Sequence, residues 1–292
     1  MISVAVVVRN GGTTIDKTLS SLLDGSLLPD EILIVDGLSH DNTLDIVRGF
    51  QERYGIIRIV NNPQKDIASG RNIALRESVG DILAYTDADC IVDKDWVFHI
   101  ARRFAEDSSL AGCGGRMLAL PPRNWVEEIA GKIFLDEIMQ YEEKARYCDS
   151  LSVAGALITA NSAYRRDILL SIGGFDQWFG NYGEDIDLFW RLIKAGYKLL
   201  YDPNLIVYHR FPNKVSTLIR KHFGFGIASS KLTKKHISKA RIDLFLYRAI
   251  MKDIVNLARL QTPPETSLRL CQKLAHMTGK IYGSMKVGVL NI

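Results

Sequence analysis

Along the first hundred residues, short apolar runs alternate with longer stretches whose apolar positions recur at helical spacing. Residues 4–8, 31–35, 56–60 and 81–85 read as buried strands, the last bounded by Gly80. Between them, residues 14–23, 44–54 and 69–78 read as helices, the first capped by Thr13 or Thr14. Such alternation builds a parallel sheet covered by helices on both faces. The expected fold class is therefore α/β, with a mostly parallel, doubly wound central sheet and flanking helices. After residue 100 the regularity weakens. Residues 125–145 are helix-compatible, 151–160 strand-like, 184–195 a helix closed by Gly196, and 198–201 and 205–208 short strands. From about Asn213 the pattern is helical. Residues 244–260 carry a broad apolar face, with Arg248, Lys252 and Arg259 on the other side. The expected division is a catalytic domain over 1–212 and a helical C-terminal extension over 213–292.

Composition changes this picture little. The 292 residues are 47% hydrophobic and 24% charged, the usage of an ordinary globular protein. Cys90, Cys113, Cys148 and Cys271 form no Cys-x-x-Cys pair and no disulfide framework, which predicts a reducing compartment. The apolar N-terminus meets Arg9-Asn10-Gly11-Gly12 without a basic leader or small-residue cleavage site, so it reads as a first strand. No run of about 18 apolar residues predicts a transmembrane helix. Charge is more telling. Residues 1–209 carry 21 Lys and Arg against 30 Asp and Glu, whereas residues 210–252 carry 11 against one. An acidic body disfavours nucleic acid. The basic segment, with Lys231, Lys234, Lys235, Lys239 and Arg241, suits an anionic membrane surface, and the apolar face of 244–260 suits its interface. The expected location is cytoplasmic, peripheral on the inner face of the membrane.

Candidate chemistry gathers after the strands. Arg9-Asn10 follows the first, Asp36 the second, and Thr86-Asp87-Ala88-Asp89 the fourth. In a doubly wound sheet these fall on one edge, where ligands bind. Alternate residues of an extended segment share a face, so Asp87 and Asp89 are placed to converge on one cation. Their hard oxygens suit Mg²⁺ or Mn²⁺. Arg71-Asn72, at the start of the helix after Ala68-Ser69-Gly70, is read as a phosphate site through the helix N-terminus and the Arg71 guanidinium. Glu184-Asp185-Ile186-Asp187 opens another helix, where acids also serve as caps and dipole partners. One of these carboxylates, facing the crevice, has the chemistry of a general base. Phe175, Trp178, Phe179 and Tyr182 form an aromatic loop suited to sugar faces or to core packing, and His209 is a candidate metal or phosphate ligand.

In this order, Val6-Val7-Val8-Arg9-Asn10, the run from Glu31 to Thr43, Gly70-Arg71-Asn72, Thr86-Asp87-Ala88-Asp89, Ile172-Gly173-Gly174-Phe175-Asp176 and Gly183-Glu184-Asp185-Ile186-Asp187-Leu188 resemble the family-2 glycosyltransferases over about residues 2–230. The resemblance implies the A-type nucleotide-diphospho-sugar transferase fold and an inverting, metal-dependent transfer from a UDP- or GDP-sugar to a hydroxyl of a glycan or lipid-linked acceptor. It implies Asp185 as the catalytic base, with Glu184 and Trp178 on the acceptor side. Val8, Asn10, Asp36, Arg71 and Asp87 correspond to the nucleotide-binding side, and Asp89 and His209 to the metal ligands. Arg220, Lys221 and the Gly224-Phe225-Gly226 turn resemble the basic segment after the core. The first strand lacks the family's frequent proline turn, and the Gln-x-x-Arg-Trp signature of processive members is missing, which points to single addition. Two alternatives stand beside this reading. A nucleotidyltransferase would want a basic end to the loop after strand one, where Gly11-Gly12 leads into Thr13-Thr14. A non-catalytic sugar- or nucleotide-binding protein would not use the acids as catalysts.

Overall fold

The computed structural model describes residues 1–139, 142–148, 151, 157–258 and 263–292. Half of the strand expected over 151–160, residues 152–156, lies outside the described residues, as do Arg259 and Leu260; the described residues 157–160 are not extended strand, which begins at Asn161. The chain condenses into two compact units. One comprises residues 1–120, 138–180 and 184–210; the other comprises 121–137, 181–183 and 211–292.

The first unit holds a nine-stranded sheet among the described residues. Its parallel half is β1 (Ile2–Val8), β2 (Glu31–Asp36), β3 (Ile57–Asn61) and β4 (Ile82–Asp87), alternating with α1 (Ile15–Leu23), α2 (Thr43–Gln51) and α3 (Ile67–Glu77). Residues of β1, β2 and β4 are almost all buried, as strands covered on both faces require. The order β3-β2-β1-β4 reverses direction between β1 and β4, which opens a crevice at their C-terminal ends. The expected flanking helices and α/β class hold. Beyond β4 the sheet is mixed, because antiparallel β8 (Asn161–Arg165) is inserted between β4 and β6 (Leu110–Ala119).

β6 then pairs in parallel with β9 (Lys198–His209). β9 is one strand where two were expected, because a break in register skips Pro203, Asn204 and Leu205 between Asp202 and Ile206. Asp202, fully buried there, accepts from Arg103 Nε at 2.6 Å and from the Asn204 backbone N–H at 3.0 Å. On its other side β9 carries β5 (Cys90–Val92) and β7 (Arg146–Tyr147), both antiparallel. Three further helices complete this unit: α4 (Trp96–Glu106), α6 (Arg166–Ser171) and α7 (Glu184–Lys194).

The second unit is helical. α5 (Trp125–Ile133) passes into a π-helical turn, Phe134–Met139, so helix does not continue through 125–145: residues 142–145 are irregular and Arg146 begins β7. α8 (Val215–Leu232), α9 (Leu244–Ala258) and α10 (Pro263–Val287) follow. α8 and α10 pack backbone to backbone. A Cβ on Gly226 would lie 2.1 Å from the His276 carbonyl oxygen, and one on Gly279 the same distance from that of Phe223, so only glycine fits either place.

Candidate active site

The crevice is set by register. Val8 stands opposite Asp36, and Val7 opposite Asp87, so the ends of β1, β2 and β4 align. The loops after β1 and β2 are joined by side chains. Asn10, at a positive φ of 56°, donates its backbone N–H to Ser39 Oγ (2.8 Å) and accepts the His40 N–H on Oδ1 (2.9 Å). Asp36 is fully buried, and its two oxygens accept from the Ser39 N–H (3.0 Å) and hydroxyl (2.6 Å). The Val8 carbonyl takes the Gly37 N–H at 2.7 Å. Val8, Asn10 and Asp36 thus shape one continuous rim.

The Asp-Ala-Asp stretch departs from the extended geometry that would send both carboxylates to one face. β4 ends at Asp87, and Ala88-Asp89 form a turn into β5. Asp87 Oδ1 lies 3.5 Å from Arg71 Nη2, whereas Asp89 Oδ1 lies 3.5 Å from His209 Nε2. The Thr18 hydroxyl of α1, 2.9 Å from the Ala88 carbonyl oxygen and 2.7 Å from that of Cys90, braces the turn. Ligand atoms of Asp89, Cys90 and His209 lie within 4.8 Å of one another. Burial pushes the Cys90 thiol well above its ordinary range, so it stays protonated and is a poor partner for a hard cation. Asp89, with its side chain 42% exposed, and His209 present one oxygen and one nitrogen, a set that fits a divalent ion completing its shell with water and phosphate oxygens.

Arg71 is placed differently from the sequence-based reading. α3 begins at Ile67, and its N-terminus is already satisfied: Asp66 caps the Ser69 N–H at 2.8 Å, and the Gly180 carbonyl takes the Ala68 N–H at 2.9 Å. These amides are therefore committed within the protein, and Arg71 lies in the helix proper. Its side chain is buried between carboxylates, Nη1 donating to Glu184 Oε1 and Nη2 facing Asp87, with the Phe175 ring 5.6 Å away. Arg71 thereby ties the end of β4 to the start of α7. Burial drives the Glu184 carboxyl up to about 7 against the opposing pull of Arg71. Asp185, half-buried beside it, is also raised, chiefly by burial and further by Asp87. Asp187 faces the other way, fully buried and paired with Arg191 Nε at 2.8 Å.

Sequence reasoning overlooked the clamps that hold this arrangement. Asn72 Nδ2 donates to the Phe175 carbonyl at 2.7 Å, and its Oδ1 takes the Phe175 N–H at 2.8 Å. Arg191 donates to the carbonyls of Ile172 (2.8 Å) and Gly174 (2.6 Å). The Gly-Gly-Phe-Asp loop is thus gripped from α3 and α7. The (i, i+4) spacing of Asp187 and Arg191 was the available signal for one half of this grip. Trp178, 44% exposed, follows in the same loop and packs edge-on against Phe179 at 5.5 Å.

The sheet order and its acid-lined edge define an A-type glycosyltransferase fold. Solved structures agree. A mannosyltransferase from Pyrobaculum calidifontis, in complex with GDP-Man and Mn²⁺, superposes with a TM-score of 0.61 at 16% identity, over 98% of this chain and 74% of that one. S. aureus TarS 1-349 gives 0.59 at 15% identity, over 98% of this chain and 91% of that one. The model of glycosyl transferase family 2 matches residues 3–173, and the chain belongs to that family. Among curated relatives, poly-beta-1,6-N-acetyl-D-glucosamine synthase of Staphylococcus aureus is 25% identical over 72% of this chain and 50% of its own length. Pre-mycofactocin glycosyltransferase of Mycobacterium tuberculosis is 27% identical over 82% of this chain and 48% of its own length. The chain spans about half the length of these relatives.

Proposed function

We propose that the chain moves a hexosyl or N-acetylhexosaminyl group from a nucleotide-diphosphate sugar to a hydroxyl acceptor, inverting the anomeric carbon. The observation that carries this reading is the convergence of Asp87 and Glu184 on buried Arg71, which draws the donor edge of the sheet and the acid pair of α7 to one point. Val8, Asn10 and Asp36 shape the pocket for the nucleoside, and Asp87 serves its ribose side. Asp89 and His209 hold Mg²⁺ or Mn²⁺, which when bound offsets the charge gathering on the departing diphosphate. Arg71, with both arms engaged by carboxylates, acts on the diphosphate through the positive charge it places behind Asp87.

Asp185 removes the acceptor proton as the hydroxyl attacks the anomeric carbon from the face opposite the leaving group. Its raised proton affinity, a consequence of burial, moves it in the direction a general base at neutral pH requires. Glu184 and the exposed ring of Trp178 position the acceptor, a glycan or a lipid-linked saccharide; the latter calls for contact with a membrane. The donor is a UDP- or GDP-sugar, in line with the GDP-Man and UDP-GlcNAc bound in structural neighbours. Calorimetry of a UDP- and GDP-sugar panel, with and without Mn²⁺, tests the proposal. One donor should bind in a metal-dependent way, and Asp89→Ala should abolish the dependence. Donor binding that ignores both metal and Asp89 would overturn it.

A further inference from the structure

The helical unit carries an outward surface that the transfer chemistry does not use. After residue 210 the chain has 15 Lys and Arg but only three acids: Asp243, Asp253 and Glu265. All three are neutralised within the fold. Lys280 Nζ donates to Asp243 at 2.8 Å, Lys273 Nζ to Asp253 at 2.7 Å, and Arg269 Nη2 to Glu265 at 2.8 Å. The acids therefore cancel little of the exposed positive charge.

On α9 that charge is interleaved with exposed apolar side chains. Phe245 is 84% exposed, Leu244 62% and Met251 58%, beside exposed Arg248 and Lys252. At about 100° per residue these five positions and Val255 fall within an arc of about 120°. Ile250 and Asp253, both buried, lie on the opposite side and seat the helix. The segment leading into α9 extends the surface. Arg241 pairs with the last residues, its N–H donating to the Leu290 carbonyl at 2.8 Å, which joins the segment that carries exposed Ile242 to the one that carries exposed Leu290. Lys234 and Lys239 flank it, both exposed. A face with large apolar groups at its centre, cations alongside and its acids turned inward matches the headgroup layer of an anionic bilayer.

We propose that this α9 face is a membrane-docking surface for anionic lipid, with Phe245 and Leu244 entering the interface and Arg241, Arg248 and Lys252 meeting lipid phosphates. The inference stands apart from the donor chemistry. Flotation of the full chain with phosphatidylcholine vesicles, with and without 30 mol% phosphatidylglycerol, tests it. Binding should require the anionic lipid and weaken in high salt. Arg248→Gln and Lys252→Gln should each lower partitioning about fivefold (about 1 kcal/mol), and Phe245→Gln about tenfold or more. These side chains are exposed, so the variants should keep the wild-type melting temperature. Asp89→Ala should float like wild type, which separates failure of this surface from failure of the catalytic reading. No flotation, equal binding to neutral vesicles, or a concentration-dependent dimer that Phe245→Gln dissolves without any vesicle binding would each overturn the proposal.

Discussion

Glu184→Gln tests the electrostatics of the candidate site most sharply. The wild-type carboxyl is 3% exposed and bonded to Arg71, yet burial outweighs that attraction and lifts its proton affinity from 4.5 to about 7. Between these two values the folded protein holds a proton that the unfolded chain has already released. Stability therefore falls as pH rises through this window. At about 1.4 kcal/mol per pH unit, the loss amounts to about 3 kcal/mol by pH 8. Glutamine keeps the shape and an acceptor for Arg71 but cannot ionise. The variant should match wild type near pH 5 and exceed it by up to about 3 kcal/mol at pH 8. Urea unfolding of both proteins at pH 5, 6, 7 and 8, in EDTA so that no divalent ion intervenes, measures the difference directly. A difference that stays flat, or a variant that loses ground as pH rises, would show that the Arg71 pairing dominates burial and that the reasoning is wrong. Buried ion pairs are often poor stabilisers, so the direction is the informative result.

Asp185→Asn should lower kcat about 10²–10⁴-fold while donor Kd changes by less than about twofold, read by transfer assay and calorimetry. Gly174→Ala should cost about 2 kcal/mol or more, visible as a lower melting temperature. Its φ is +66°, and the new Cβ would sit 2.5 Å from Asn72 Oδ1, disturbing the clamp on the loop before α7. In the helical unit, burial lowers His222 to about 3 and His276 to about 4, so both fold as neutral rings. The stability they contribute is intact above about pH 6.5 and is lost as pH falls toward those values. His222→Gln should shift the acid-unfolding midpoint followed by circular dichroism to lower pH; an unchanged midpoint would remove His222 as the trigger.

The parallel half of the sheet was legible because its strands are buried on both faces and leave continuous apolar runs between helical stretches. Their ends then placed Val8, Asp36 and Asp87 on one edge with no further information. The mixed half was harder to read. β6 contains Gly112, Gly114 and Gly115 in close contact with neighbouring strands, so its residues are chosen for backbone approach and not for an apolar rhythm. The divergence of Asp87 and Asp89 was hidden because alternation holds only while the strand continues, and β4 stops between them. Arg71 was singled out as a candidate, but its surroundings were not legible: its partners Asp87 and Glu184 are far apart in sequence and meet only through the fold. The same is true of Asn72 and Arg191, whose grip on the loop is built from backbone carbonyls that leave no trace in residue type.

The register break in β9 has a consequence for how this fold tolerates change. Pro203, Asn204 and Leu205 separate the half of β9 that starts at Lys198 from the half that ends at His209. Successive strand residues point to opposite faces, so the number of residues in that excursion fixes the parity of everything after it. Deleting one of them would turn His209 away from Asp89 and bring Arg210 toward its place, with neither residue of the pair altered; deleting two would turn His209 back to that face but leave it about 7 Å from its present place. The Asp89–His209 pairing thus depends on the number of residues several positions upstream, and length variation there acts as a discrete setting on which side chain meets Asp89.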